Sequence, residues 1–179
     1  MRLLQLPRTA RSPAREPFEQ GRFEELPLRP RLPHRYYEAD HDDVIVDSAP
    51  FGRIRVRVVS YGAREAPPLL LVHGLMTTSY SWRYLFERLG DRQRLIAPDL
   101  PGCGRSDFVP QRPHSGAALA AFIGELQRAL GISGCVAVGN SLGGYLCMRR
   151  ALADPAGFAR LAVIHPPAFP EPRLVALHV

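Results

Sequence analysis

From about residue 44 onward the chain alternates short apolar runs with longer amphipathic ones. Over residues 53–62, "RIRVRVVSYG", the alternation has period two: Ile54, Val56 and Val58 fall on one side and Arg53, Arg55 and Arg57 on the other. That pattern predicts a strand with one buried face. The preceding run "VIVDS" (44–48) and the turn "APFG" make an antiparallel hairpin with it at a sheet edge. The runs at 68–74, "PLLLVHG", and 94–99, "RLIAPD", are continuously apolar up to their last residues, as parallel strands covered on both faces require. So is "CVAVGN" at 135–140, and "LAVIHP" at 161–166 closes the series. Between these runs the spacing turns helical. Residues 80–90 and 142–155 read as helices, and 116–131 places Leu119, Phe122, Ile123, Leu126 and Leu130 on one face with Gly131 in the position of a C-terminal cap. Repeated strand-helix-strand units predict an α/β fold: a mostly parallel, doubly wound sheet with helices on both faces and an antiparallel N-terminal hairpin. No internal repeat is evident.

Composition changes this picture at the N-terminus. All 23 basic residues are arginine, and the formal net charge is +6. Eight arginines, from Arg2 to Arg35, crowd the first 35 residues among Pro7, Pro13, Pro17, Pro27, Pro30 and Pro33. Residues 1–35 are therefore expected to be a disordered or loosely attached arm. A basic tether or an arginine-rich targeting peptide is the functional alternative. No run approaches the roughly 18 apolar residues of a membrane span, and no apolar block marks a secretory signal. The expectation is a cytoplasmic protein with no stable membrane insertion, a small-molecule substrate and no nucleic-acid partner. Cys103, Cys135 and Cys147 are odd in number and lack C-x-x-C spacing. They read as packed, reduced thiols, with neither a metal site nor a cofactor implied.

In a parallel sheet, loops leaving the carboxyl ends of strands meet on one edge. Three such loops carry candidate chemistry. In "GNSLGG", Ser141 stands between Gly139 and Gly143 in a tight strand-to-helix turn, which exposes its hydroxyl at a helix N-terminus. In "LVHGLMTTSYSW", His73 and Gly74 close a buried strand; His73 reads as a loop-shaping group and Gly74 as the place where backbone comes close to a reacting carbonyl. The backbone N–H groups of Leu75 and Leu142 are then the donors available to an oxyanion. The third loop, "PDLPGCGRSD", lacks a full phosphate-cradle pattern and a Walker lysine. It reads as a rigid turn whose amides Asp99 and Asp107 satisfy.

"HG", "DLPGCGRSD" and "GNSLGG", in that order after successive strands, resemble the α/β-hydrolase fold superfamily, in its branch of esterases, epoxide hydrolases, haloalkane dehalogenases, C–C bond hydrolases and perhydrolases. The resemblance covers roughly residues 44–170. It implies that Ser141 is the nucleophile and that Leu75 and Leu142 supply the oxyanion hole. Serine at this position, where the dehalogenases and epoxide hydrolases carry aspartate, points to ester-like carbonyl substrates and an acyl-enzyme.

A serine nucleophile needs a base and an acid to orient that base. By the resemblance, the acid follows the sixth or seventh strand and the histidine the eighth. His165 at a strand end and His178 in the segment 171–179, expected to begin a lid, do not occupy the histidine position, and Glu171, in the loop after the sixth strand, could serve as the acid only in a variant arrangement. The expectation is an N-terminal half of a hydrolase, truncated after the sixth strand, with body 36–170 and its histidine and acid missing from this chain. The alternative reading is a non-catalytic binding domain of the same fold, or an inactive fragment.

Overall fold

The computed structural model describes residues 33–167. Six strands form one sheet: β1 Asp40–Ser48, β2 Gly52–Tyr61, β3 Pro68–Val72, β4 Arg94–Pro98, β5 Cys135–Asn140 and β6 Phe158–Ile164. Their spatial order is β1-β2-β4-β3-β5-β6. β1 pairs antiparallel with β2, and β2 antiparallel with β4, while β4, β3, β5 and β6 are mutually parallel. The helices are α1 Arg83–Leu89, entered through a 3-10 turn at Ser79–Trp82, α2 Gly116–Ala129 and α3 Leu142–Ala153. The expected fold class holds. The first strand begins four residues earlier than its apolar run, because the acidic stretch from Asp40 to Asp43 still pairs with β2.

Side-chain alternation divides the core between the two faces of the sheet. Leu70, Val72 and Ile96 join Leu119, Phe122, Ile123, Leu126 and Leu146 under α2 and α3. Leu69, Leu71, Leu95 and Ala97 pack with Trp82 and Phe86 under α1. β3 and β4 are therefore apolar at nearly every position because both their faces are covered. α2 starts at Ser115, whose hydroxyl accepts the Ala118 N–H at 3.2 Å. It ends where Gly131 turns left-handed (φ 65°) and the Ile132 N–H reaches the Gln127 carbonyl at 2.9 Å, a Schellman closure.

β2 is longer than its neighbour, and the pattern of residues gave no sign of what satisfies the surplus. Past the end of β4, the loop that follows β4 takes over the ladder. The Asp99 and Asp107 N–H groups donate to the Arg57 and Arg55 carbonyls at 2.8 and 2.9 Å. In return the Arg57 N–H donates to Ser106 Oγ and the Arg55 N–H to Asp107 Oδ2, both at 2.9 Å. The loop thus serves as a short substitute strand, which fixes it against the sheet.

Arg35, placed by its neighbours in the arm, is instead tied down. Its guanidinium pairs with Glu87 at 3.1 Å and Asp91 at 3.0 Å and donates to the Tyr61 hydroxyl at 3.1 Å. Residues 1–32 of the expected arm and the expected lid segment 171–179, with Glu171 and His178, lie outside the described residues.

Candidate active site

The turn after β5 holds a residue with a side chain in strained backbone. Ser141 has φ 49° and ψ −118°, a conformation that costs a side-chain-bearing residue on the order of 1–3 kcal/mol. Packing holds it there. A Cβ on Gly143 would fall 2.1 Å from the Val72 carbonyl oxygen and 2.5 Å from that of His73. A Cβ on Gly139 would fall 2.5 Å from the Gly143 carbonyl oxygen. The two glycines therefore let the first turn of α3 lie directly on the ends of β3 and β5. On the other side, the Ser141 N–H donates to the Ile164 carbonyl of β6 at 2.8 Å.

Serine is a common helix N-cap, and that is the plain alternative to a catalytic role. At this site the geometry rejects it. The Ser141 carbonyl accepts the first helical bond, from Tyr145, at 3.1 Å, but its side chain makes no capping hydrogen bond. Among the described residues the hydroxyl has no partner, and it sits at the positive end of a 12-residue helix.

The β3 loop meets this turn through Gly74, whose added Cβ would lie 3.3 Å from Ser141 Cβ. His73 organises the loop. It is fully buried, its Nε2 accepts the Leu100 N–H at 2.9 Å, and its Nδ1 faces the Gly74 carbonyl at 2.8 Å. An acceptor Nε2 leaves the proton on Nδ1, so the ring is a neutral bridge between the loops after β3 and β4. Burial pushes its pKa below the usual histidine value, with the Gly74 bond and the Asp99 charge acting in the opposite direction. Both nitrogens are engaged, and neither is left for Ser141. The Thr77 hydroxyl also donates to the Gly74 carbonyl, at 3.0 Å. With that carbonyl held on one side, the trans Gly74–Leu75 peptide turns the Leu75 N–H to the other. Among the described residues, the N–H groups of Leu75 and Leu142 donate to no backbone or side-chain acceptor.

The loop after β4 carries two aspartates with different tasks. Asp99 is buried and accepts the Arg105 N–H of its own loop at 3.0 Å, as expected, and also the Ser79 N–H at the entry to α1 at 2.8 Å, which ties the two loops together. Asp107 does not do this. Its carboxylate instead serves Arg55 of β2, through the backbone N–H and through Nη2 at 2.8 Å. Sequence reasoning missed that, because the partner lies 52 residues away. His165 ends up exposed just past β6 with φ 46°. Cys135 and Cys147 are buried and Cys103 half-buried, all as free thiols. Burial raises the pKa of all three, that of Cys147 to about 12, so none is a thiolate near neutral pH. Among the described residues no cluster of His, Cys, Asp and Glu is placed to hold a metal ion, and no helix is long and apolar enough to cross a membrane.

This sheet order, with a strained serine turn at the carboxyl edge, is that of an α/β-type hydrolase. The family model described as alpha/beta hydrolase fold matches residues 67–177, and the chain belongs to that family. Among curated relatives it is 34% identical to mouse epoxide hydrolase 4 over 122 residues, covering 66% of this chain and 34% of that protein. It is 30% identical to a haloalkane dehalogenase of Psychrobacter cryohalolentis over 132 residues, covering 70% of this chain and 42% of the relative. Among solved structures, an esterase from Thermogutta terrifontis aligns with TM-score 0.65 and 30% identity, covering 74% of this chain and 48% of the esterase. An N-acyl homoserine lactonase aligns with TM-score 0.61 and 30% identity, over 72% of this chain and 46% of that one. The chain spans about a third of the length of the curated epoxide hydrolases it matches.

Proposed function

We propose that this chain carries the nucleophile and oxyanion hole of a serine hydrolase acting on esters or related carbonyl compounds through an acyl-enzyme. One observation carries the reading. Ser141 pays for a strained backbone at a helix N-terminus, yet its hydroxyl is withheld from capping and left without a partner among the described residues. A structural serine has no reason to be held so.

In the proposed reaction Ser141 Oγ attacks the carbonyl carbon and gives its proton to a base. The carbonyl oxygen becomes an oxyanion that accepts hydrogen bonds from the Leu75 and Leu142 N–H groups. Collapse of this intermediate breaks the bond to the leaving group, which takes the proton from the base. Water, deprotonated by the same base, then attacks the acyl carbon, and collapse breaks the bond to Ser141 Oγ, which takes the proton back from the base. His73 acts indirectly, by fixing the Gly74–Leu75 peptide, while Gly139, Gly143 and Gly74 allow the close approaches the site needs. The base and its acid are proposed to come from the part of the family's length that this chain does not span. The relatives named as epoxide hydrolases and dehalogenase share the scaffold, and serine at position 141 is what argues for esters over epoxides or alkyl halides.

The test is covalent labelling of the complete protein with a fluorophosphonate probe, followed by peptide mapping. Modification of Ser141 that disappears in Ser141→Ala is the expected result. A folded complete protein that takes no label would overturn the reading in favour of a non-catalytic binding domain.

A further inference from the structure

Among the described residues, three that are not glycine have a positive φ: Met76 (55°), Ser141 (49°) and His165 (46°). They are not scattered. β3, β5 and β6 are consecutive in the sheet, and each of the three residues lies just beyond the carboxyl end of one of them. The contacts join them. The Ser141 N–H is bonded to the Ile164 carbonyl, which makes His165 the next residue along that side. Gly74, two residues before Met76, abuts Ser141 Cβ on the other side.

Left-handed backbone is unfavourable for any residue with a Cβ, and glycine removes the penalty. The loop after β4 follows that rule, placing its positive φ angles at Gly102 and Gly104. At 76 and 165 the chain keeps a methionine and a histidine instead. Packing among the described residues does not account for them. Met76 is 92% exposed, and the His165 ring is exposed with no hydrogen-bond partner among the described residues. Strain retained at an exposed side chain beside a nucleophile is the pattern of a residue kept for what it touches.

We propose that Met76 and His165 are substrate contacts on opposite sides of Ser141, an inference that rests on the hydrolase reading. Met76, with the half-exposed Leu75 beside it, takes an unbranched apolar chain on the β3 side. His165 hydrogen-bonds an oxygen-bearing group on the β6 side. The substrate class is then an ester with an apolar chain on one side of the carbonyl and an oxygen-bearing group on the other, for which 1-octanoylglycerol is the probe.

Equilibrium binding to the complete protein carrying Ser141→Ala tests this without any chemistry. In that background Met76→Gly should weaken 1-octanoylglycerol about tenfold, the scale of a lost apolar contact, and leave glyceryl acetate unaffected. His165→Gly should weaken 1-octanoylglycerol while leaving ethyl octanoate, which lacks the hydroxyls, unchanged. Both variants should melt at the same temperature as the parent or higher, since glycine suits the backbone. Unchanged affinity in either variant, a lower melting temperature, or no binding of 1-octanoylglycerol to the parent would overturn the proposal. Fluorophosphonate labelling of Ser141 separates the two readings. Label with unchanged binding sinks this inference alone, and lost label with the expected binding losses sinks the hydrolase reading alone.

Discussion

Two serines open the two longest helices, and only one behaves as helix-opening serines do. Ser115 precedes α2 with extended backbone (φ −71°, ψ 158°), and its hydroxyl accepts the Ala118 N–H. Ser141 precedes α3 with φ 49° and ψ −118°, and its hydroxyl caps nothing. The residue type and the local position are the same. The difference lies in what surrounds them: Ser115 follows an irregular stretch outside any strand, whereas Ser141 is clamped between β3, β5 and β6. The backbone that would let Ser141 cap its helix is unavailable to it, and its oxygen is left for another use. Tertiary packing overrides a local preference worth about 1 kcal/mol.

The largest test of that comparison removes the clamp. Gly143→Ala puts a methyl group into the Val72 and His73 carbonyl oxygens, at 2.1 and 2.5 Å. Both are backbone atoms of a buried strand end, which have little room to move. The expected loss is about 3 kcal/mol or more, at or above the upper end of ordinary overpacking, read as a fall in the chemical denaturation midpoint. A variant of near-normal stability would mean that the approach of α3 to β3 does not hold the Ser141 turn.

A second test sharpens the role of the neighbouring loop. Because burial holds the His73 pKa below its unfolded value of about 6.5, the unfolded chain binds this proton more readily than the native one. The native state's advantage is therefore complete above the unfolded pKa. It is lost as pH falls from there toward the depressed native value. Melting temperature should drop on acidification through that window, and part of the drop should vanish in His73→Asn, whose amide still offers a donor to the Gly74 carbonyl. An identical slope in the variant would show that His73 is not the buried neutral bridge its contacts describe.

How much of this was legible beforehand depended on the range of the interaction. The alternation at Arg53 to Val58 and the apolar runs of β3, β4 and β5 are local patterns set by which faces are covered, and they located the sheet. The Gly139-x-Ser141-x-Gly143 spacing also located the turn, because close backbone approach can be met only by glycine. The Asp107–Arg55 bond and the anchoring of Arg35 by Glu87 and Asp91 were not legible. Each joins residues some 50 positions apart, and their pairing follows from strand order, which composition does not encode. The positive φ at Met76 and His165 was equally hidden, since methionine does not announce a left-handed backbone and histidine, though enriched there, adopts it at only a few of its positions.

The smallest effects are the most discriminating, and they set the two serines directly against each other. Ser115→Gly removes a capping hydroxyl from relaxed, extended backbone, where glycine is itself a tolerable cap, so it should cost only a few tenths of a kcal/mol. Ser141→Gly removes no capping bond and relieves a left-handed residue, so it should stabilise the fold by about 1 kcal/mol. The two substitutions therefore move stability in opposite directions, although both take a serine from the same helix position. Fluorophosphonate labelling should be abolished by the second and untouched by the first. Denaturation midpoints that shift in the same direction for both variants would show that Ser141 is an ordinary cap after all, and that its strain is not being retained for chemistry.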